Sequence, residues 1–174
     1  WIASAIREAV PDALPGIVPR HAGRRAEVRA ELERAGFTVV MRSVFPSPDA
    51  GDRPLVFLID STGELRDWTA HADVVIIGKS FLATGGQNPC EAILAGKPVV
   101  FGPHMENFEP LASRLVDAGA CIRARDETEL RDAIIAALDH PTAEKMTRKA
   151  NCLLARHDGA TRRILDLLNA PKIP

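Results

Sequence analysis

The stretch of this sequence whose residue types and spacing could do chemistry is Gly85-Gly86-Gln87-Asn88-Pro89-Cys90-Glu91. Asn88 reads as a helix N-cap, because its side-chain oxygen can accept an N–H of the first turn. Pro89 suits the first helical position, where no N–H is needed. Behind two glycines, such a helix start offers free backbone N–H groups and the positive end of a helix dipole, and both suit a phosphate. Glu91 admits two readings. The dipole alone favours a carboxylate in the first turn. Alternatively, a ribose diol donates hydrogen bonds to it, a role that acidic side chains play in other nucleotide folds. A glycine pair before a helix is a weak signal by itself, and the whole ordered string is a much stronger one.

Three further places carry candidate groups. Val18-Pro19-Arg20-His21 puts Arg20 at the end of a short strand. There it is either a solvated loop cation or a planar fork of donors for a phosphate. In Asp60-Ser61-Thr62-Gly63-Glu64-Leu65, Ser61 or Thr62 can cap the following helix and Glu64 falls in its first turn, which again supplies a structural motive beside the functional one. His104, after Gly102-Pro103, is either a capping residue or a ligand contact. Lys79 either adds a donor near a phosphate or faces solvent.

The elements that must position these groups follow from apolar runs and their punctuation. Residues 74–77 form a continuous apolar run that reads as a buried parallel strand, followed by a loop over 79–84, a helix over 90–95 stopped by Gly96, and a second strand over 98–101. Upstream, 1–4 look like a strand already under way, and 12–19 read as a turn and a short strand weakened by prolines. A charged helix over 24–35 ends at Gly36, strands follow at 37–41 and 55–59, and a proline-rich surface loop covers 43–54. Asn107 and Phe108 open a helix over 109–118, and 121–123 form the last strand. Helices over 128–138, 142–156 and 160–168 have apolar positions at helical spacing and serve packing, and 171–174 look like a tail. Strands alternate with helices, so the fold class is α/β with a doubly wound, mostly parallel sheet. In such folds ligands bind at the carboxyl edge of the strands, where all the candidate groups would lie.

Composition narrows the classes. The chain has 174 residues, room for one domain with a real core. A formal net charge of −1 leaves no electrostatic footprint for nucleic acid. No apolar run is long enough to span a bilayer and no signal peptide precedes the first strand, so a cytoplasmic domain is expected. Cys90, Cys121 and Cys152 are scattered without metal-ligand spacing, which suits a reducing compartment and predicts neither disulfide nor zinc.

The string from Gly85 to Glu91, with Gly96-Lys97-Pro98-Val99, Gly102-Pro103-His104 and Asn107-Phe108 after it, resembles the C-terminal half of the Kdo transferases. These GT-B glycosyltransferases of lipopolysaccharide biosynthesis move 3-deoxy-D-manno-octulosonic acid (Kdo) from CMP-Kdo to lipid A precursor (lipid IVA). The segments around Arg20 and Glu64 fit the same family, so the likeness spans nearly the whole chain in the family's order and approximate spacing.

The resemblance implies that 1–174 is the Rossmann-like donor-binding domain, preceded in the family by an N-terminal acceptor domain absent from this chain. It implies CMP contacts from Pro19, Arg20, Thr62, Gly63, Glu64, Asn88, Pro89, Cys90 and Glu91, with His21, Gly85, Gly86, Gln87 and His104 as secondary candidates for the same contacts. No metal or other cofactor is implied. The general base is a Glu of the N-terminal domain in this family, so the chain is expected to bind nucleotide without turning over alone. Helix N–H groups beside Asn88, with Arg20, would stabilise the charge on departing CMP. The full protein is expected at the cytoplasmic face of the inner membrane, touching it through the other half.

Two departures stand out. Lys79 replaces a glycine common in the family. Ser4-Ala5 runs almost directly into the first helix, where family members have a Gly- and Glu-rich loop, which leaves either a true deletion or unobserved residues. Two other functions stay open: a GT-B transferase or epimerase using a UDP-sugar, and a non-catalytic nucleotide-sugar binding domain with a decayed site.

Overall fold

The structure, a computed structural model, describes residues 1–19, 22–44, 55–156 and 159–169. Among the described residues there are six short strands: β1 (Gly16–Ile17), β2 (Thr38–Met41), β3 (Leu55–Leu58), β4 (Val75–Ile77), β5 (Val99–Phe101) and β6 (Ile122–Arg123). Every pairing among them is parallel, and strands alternate with helices, as the apolar runs predict. They form two three-stranded sheets, ordered β1-β3-β2 and β4-β5-β6, rather than one continuous sheet.

The opening residues differ from expectation. The segment read as a strand is helix α1 (Ile2–Ala9), and no strand pairs with it. Its apolar residues explain this. Ile2, Ile6 and Ala9 recur at helical spacing and pack with Ala5 against Leu130, Ile134 and Ala137 of α7 (Glu127–Leu138). Ala3 joins a different cluster, with Leu32, Phe37 and Val56. One short helix thus serves the cores of both sheets.

Strand β5 shows why its sequence is apolar without interruption. Val99 and Phe101 face one cluster, with Ile93 of α5 (Cys90–Leu94), Leu115 of α6 (Leu111–Asp117) and Ala150 of α8 (His140–Ala155). Val100 faces the opposite cluster with Ala5 and Leu130. Helices cover both faces, the doubly wound arrangement that removes polar alternation from a central strand. Between these elements, α2 (Arg25–Arg34) buries Leu32 and ends before Gly36, whose φ of +86° only glycine adopts freely. The last helix is α9 (Ala160–Asn169).

Other boundaries moved for local reasons. The expected loop over 79–84 contains one helical turn, α4 (Lys79–Leu82). Asn107 and Phe108 lie in a tight 3-10 turn, Glu106–Phe108, instead of opening the next helix. Pro110 holds Glu109 extended (φ −78°, ψ 146°), so α6 begins only after the proline. Most of the loop over 43–54 and the tail lie outside the described residues. No helix among the described residues is long and apolar enough to cross a membrane.

Candidate functional site at the carboxyl edge

The carboxyl ends of β1, β3, β4 and β5 lead into the segments that carry the candidate groups. Pro19 follows β1 and is half-buried, while Arg20 and His21 lie outside the described residues. After β3, the Asp60 carboxylate accepts the backbone N–H of Ser43 at 2.9 Å and its hydroxyl at 2.5 Å. That staples the end of β3 to the end of β2, and the Ser43 hydrogen bonds hold Asp60 below the usual carboxylate range.

Glu64 is the centre of a second cluster. Its Oε2 accepts Ser61 Oγ at 2.8 Å and Trp68 Nε1 at 3.2 Å, and Arg42 Nε lies 3.2 Å away. The Ser61 hydroxyl first, then the Trp68 indole, depress its pKa. Neither Ser61 nor Thr62 caps α3 (Leu65–His71), contrary to expectation; the cap position is Glu64 itself, without a side-chain cap bond. The cause is Gly63, whose φ of +87° turns the chain and delays the helix until Leu65, so the Ser61 hydroxyl meets the Glu64 carboxylate instead. Thr62 and Gly63 are exposed. An open groove of about 460 Å3 runs here, lined by Arg42, Glu64, Asp67, Trp68 and His71.

The second half of the site follows β4. Asn88 Oδ1 accepts the Cys90 N–H at 3.0 Å, the cap bond its type and position predict, although the helical cap position falls on Pro89. Pro89 is buried; burial also raises the pKa of the half-buried Cys90 thiol, so this residue offers a backbone rather than a thiolate. Glu91, in the first turn of α5, is exposed and enters no ion pair among the described residues. Helix α3 contacts α5, so Glu64 and Glu91 begin two touching helices.

The glycine pair is placed differently from a simple phosphate cradle. Gly85 and Gly86 are buried, with φ of +92° and +58°. A β-carbon on Gly86 would come within 2.5 Å of Met105 Sδ and 2.8 Å of the His104 carbonyl, so the turn is pressed flat against the segment 104–107. The Gly85 N–H is already donated, to Glu106 Oε2 at 2.6 Å. Gln87 is half-buried beside them. Half-buried His104 sets its Nδ1 3.1 Å from Glu106 Oε1.

Beneath this lies Ser80, fully buried: its hydroxyl donates to the Ile77 carbonyl at 2.5 Å and accepts the Gly102 N–H at 2.6 Å, while the His104 N–H bonds its carbonyl at 3.0 Å. Glu106, Ser80, Arg42 and Trp68 escaped the sequence reading. Only Trp68 left a local trace, as an aromatic one helical turn after Glu64; the others act across strand ends far apart in sequence. Among the described residues no group of three or more His, Cys, Asp or Glu could hold a metal ion.

Comparison with known proteins places this geometry. No family model matches the chain. A 3-deoxy-D-manno-octulosonic acid transferase of Bordetella pertussis is 41% identical over 139 residues, covering 79% of this chain and 32% of that protein. One from Haemophilus influenzae is 29% identical with the same coverage. The chain therefore spans about a third of the length of the curated relatives it matches. Among solved structures, the C-terminal CMP-Kdo binding domain of WaaA from Acinetobacter baumannii superposes with a TM-score of 0.77 at 29% identity, over 88% of this chain and 81% of that one. Sequence and fold agree: the chain is a homologue of the Kdo transferases, built as the C-terminal domain of a GT-B glycosyltransferase.

Proposed function

We propose that this chain is the donor-binding part of a glycosyltransferase that moves Kdo from CMP-Kdo to a lipid A precursor, the acceptor side and general base belonging to an N-terminal domain. The observation that carries the reading is the pair of carboxylates, Glu64 and Glu91, at the starts of touching helices on the carboxyl edge of the strands. In the proposed complex Glu91, exposed and unpaired among the described residues, accepts the ribose hydroxyls. Pro19, at the end of the segment after β1, and the backbone beside Asn88 are assigned to the phosphate side. Charge that builds on departing CMP is met by backbone N–H donors beside Asn88 and, as the family resemblance implies, by Arg20. Glu64, held by three donors, shapes the wall against which the nucleoside lies. With a lipid as the proposed acceptor, the reading keeps the expectation that the full protein works at the cytoplasmic face of the inner membrane.

Calorimetric titration with CMP and with UDP, on this chain and on Glu91→Ala, tests the proposal. CMP should bind in preference to UDP. Glu91→Ala should weaken CMP about tenfold, the loss of one charge-assisted pair of hydrogen bonds, with stability within about 0.5 kcal/mol of wild type because the side chain is exposed. Equal or better UDP binding would move the assignment to a transferase or epimerase that uses UDP-sugars. Absence of binding to any nucleotide would favour a domain without a working donor site.

A further inference from the structure

We propose that Glu106 is a positioning residue of the donor site, its carboxylate clasping the Gly85-Gly86 turn to the ring of His104, a role that rests on the donor-binding reading above. One carboxylate oxygen accepts the Gly85 N–H at 2.6 Å, and the other lies 3.1 Å from His104 Nδ1. The first contact joins two segments 21 residues apart, and the second holds the carboxylate within its own segment.

The clasp grips a turn whose geometry matters. Gly85 and Gly86 both sit at positive φ, and the space for their β-carbons is taken by Asn107 Nδ2 at 2.6 Å and Met105 Sδ at 2.5 Å. Two residues beyond the turn comes Asn88, whose side-chain Oδ1 accepts the Cys90 N–H, and then Glu91. A shift of the turn is therefore passed directly to the groups assigned to the nucleotide. On its other side the clasp is anchored, because the His104 N–H is bonded to the Ser80 carbonyl and Ser80 ties β4 to Gly102. Glu106 thus links a fixed platform to the donor turn through a carboxylate that accepts a backbone N–H, with half its side chain open to solvent.

A carboxylate fills this role only while ionised, when both oxygens accept. The Gly85 N–H, then the residue's own backbone N–H and His104, hold Glu106 below the usual carboxylate range. At neutral pH the clasp is made, and it opens only below the ordinary range for glutamate.

The test uses CMP titrated calorimetrically at neutral pH into wild type, Glu106→Gln and Glu106→Ala, with backbone-amide NMR of Gly85 followed into acid without ligand. The Gly85 amide should titrate with a carboxylate in wild type and not in Glu106→Gln. CMP affinity should fall about threefold in Glu106→Gln, which keeps one acceptor, and about tenfold in Glu106→Ala. Circular dichroism should show both variants folded, since the side chain is exposed. Unchanged CMP affinity in both variants overturns the proposal. So does tighter binding, which would mean that the carboxylate repels the donor phosphate. Failure of wild type itself to bind CMP removes the donor reading and this role with it; a titrating Gly85 amide would then mark the clasp as a structural contact alone.

Discussion

Glu64 and Glu91 occupy matching places, each at the start of a helix that leaves the carboxyl edge of a parallel sheet, yet the two halves of the site are fastened in opposite ways. The half built on β1-β3-β2 is held side chain to side chain: Asp60 to Ser43, and Glu64 to Ser61, Trp68 and Arg42. The half built on β4-β5-β6 is held mainly through backbone groups and packing, with the Glu106 carboxylate added at its surface. Gly102, His104 and the Gly85-Gly86 turn meet Ser80, Met105 and one another over a strand buried on both faces. Carboxylate networks near the surface respond to pH and salt. Buried strands and jammed glycines respond to volume. The first half is therefore the more adjustable and the second the more rigid.

Breaking the rigid half should give the largest effect. Phe101 is fully buried at the end of β5, and Phe101→Ala should cost about 3–5 kcal/mol by losing transfer energy and leaving a cavity. Urea unfolding measures it, and a loss under about 1 kcal/mol would contradict the packing account. Gly86→Ala comes next, at about 2 kcal/mol from the left-handed φ alone, with more from the contact with the His104 carbonyl. Thermal unfolding together with CMP titration reads both stability and site. An unimpaired variant would show that the segment 104–107 yields to the new methyl group.

The smallest effect belongs to the adjustable half and has a sign that pH reveals. Glu64 has a lower pKa folded than unfolded, where it titrates near 4.5. Its stabilising contribution is whole at neutral pH, begins to fade as pH falls past the unfolded value, and is gone below the folded one. The Trp68 indole N–H resonance should follow that titration in wild type. In Glu64→Gln it should stay flat, while the Gly85 amide continues to titrate with Glu106. If both resonances respond to Glu64→Gln, the two halves are coupled and the contrast between them fails.

Much of this was legible along the chain. Uninterrupted apolar runs at 55–59, 74–77 and 98–101 became β3, β4 and β5 because parallel strands covered on both faces carry no polar alternation. The Asn88 side chain accepts the Cys90 N–H as expected, because that interaction spans two residues and needs nothing else. The opening residues misled for the opposite reason. A short apolar stretch suits strand or helix equally, and only packing against α7 and beside Val56 selected α1. Likewise the hydroxyls beside Gly63 looked like caps until the positive φ of that glycine moved the helix start past them.

What the sequence determined by itself was the alternation of strand and helix, the edge at which the candidate groups gather, and the likeness to Kdo transferases, since each rests on short-range pattern. The tertiary structure alone decided which polar group meets which. Glu106 reaches an N–H 21 residues upstream, and Ser80 ties itself to Gly102 across two strand ends. Such contacts depend on how separate loops converge above a packed sheet, and no local propensity encodes that convergence.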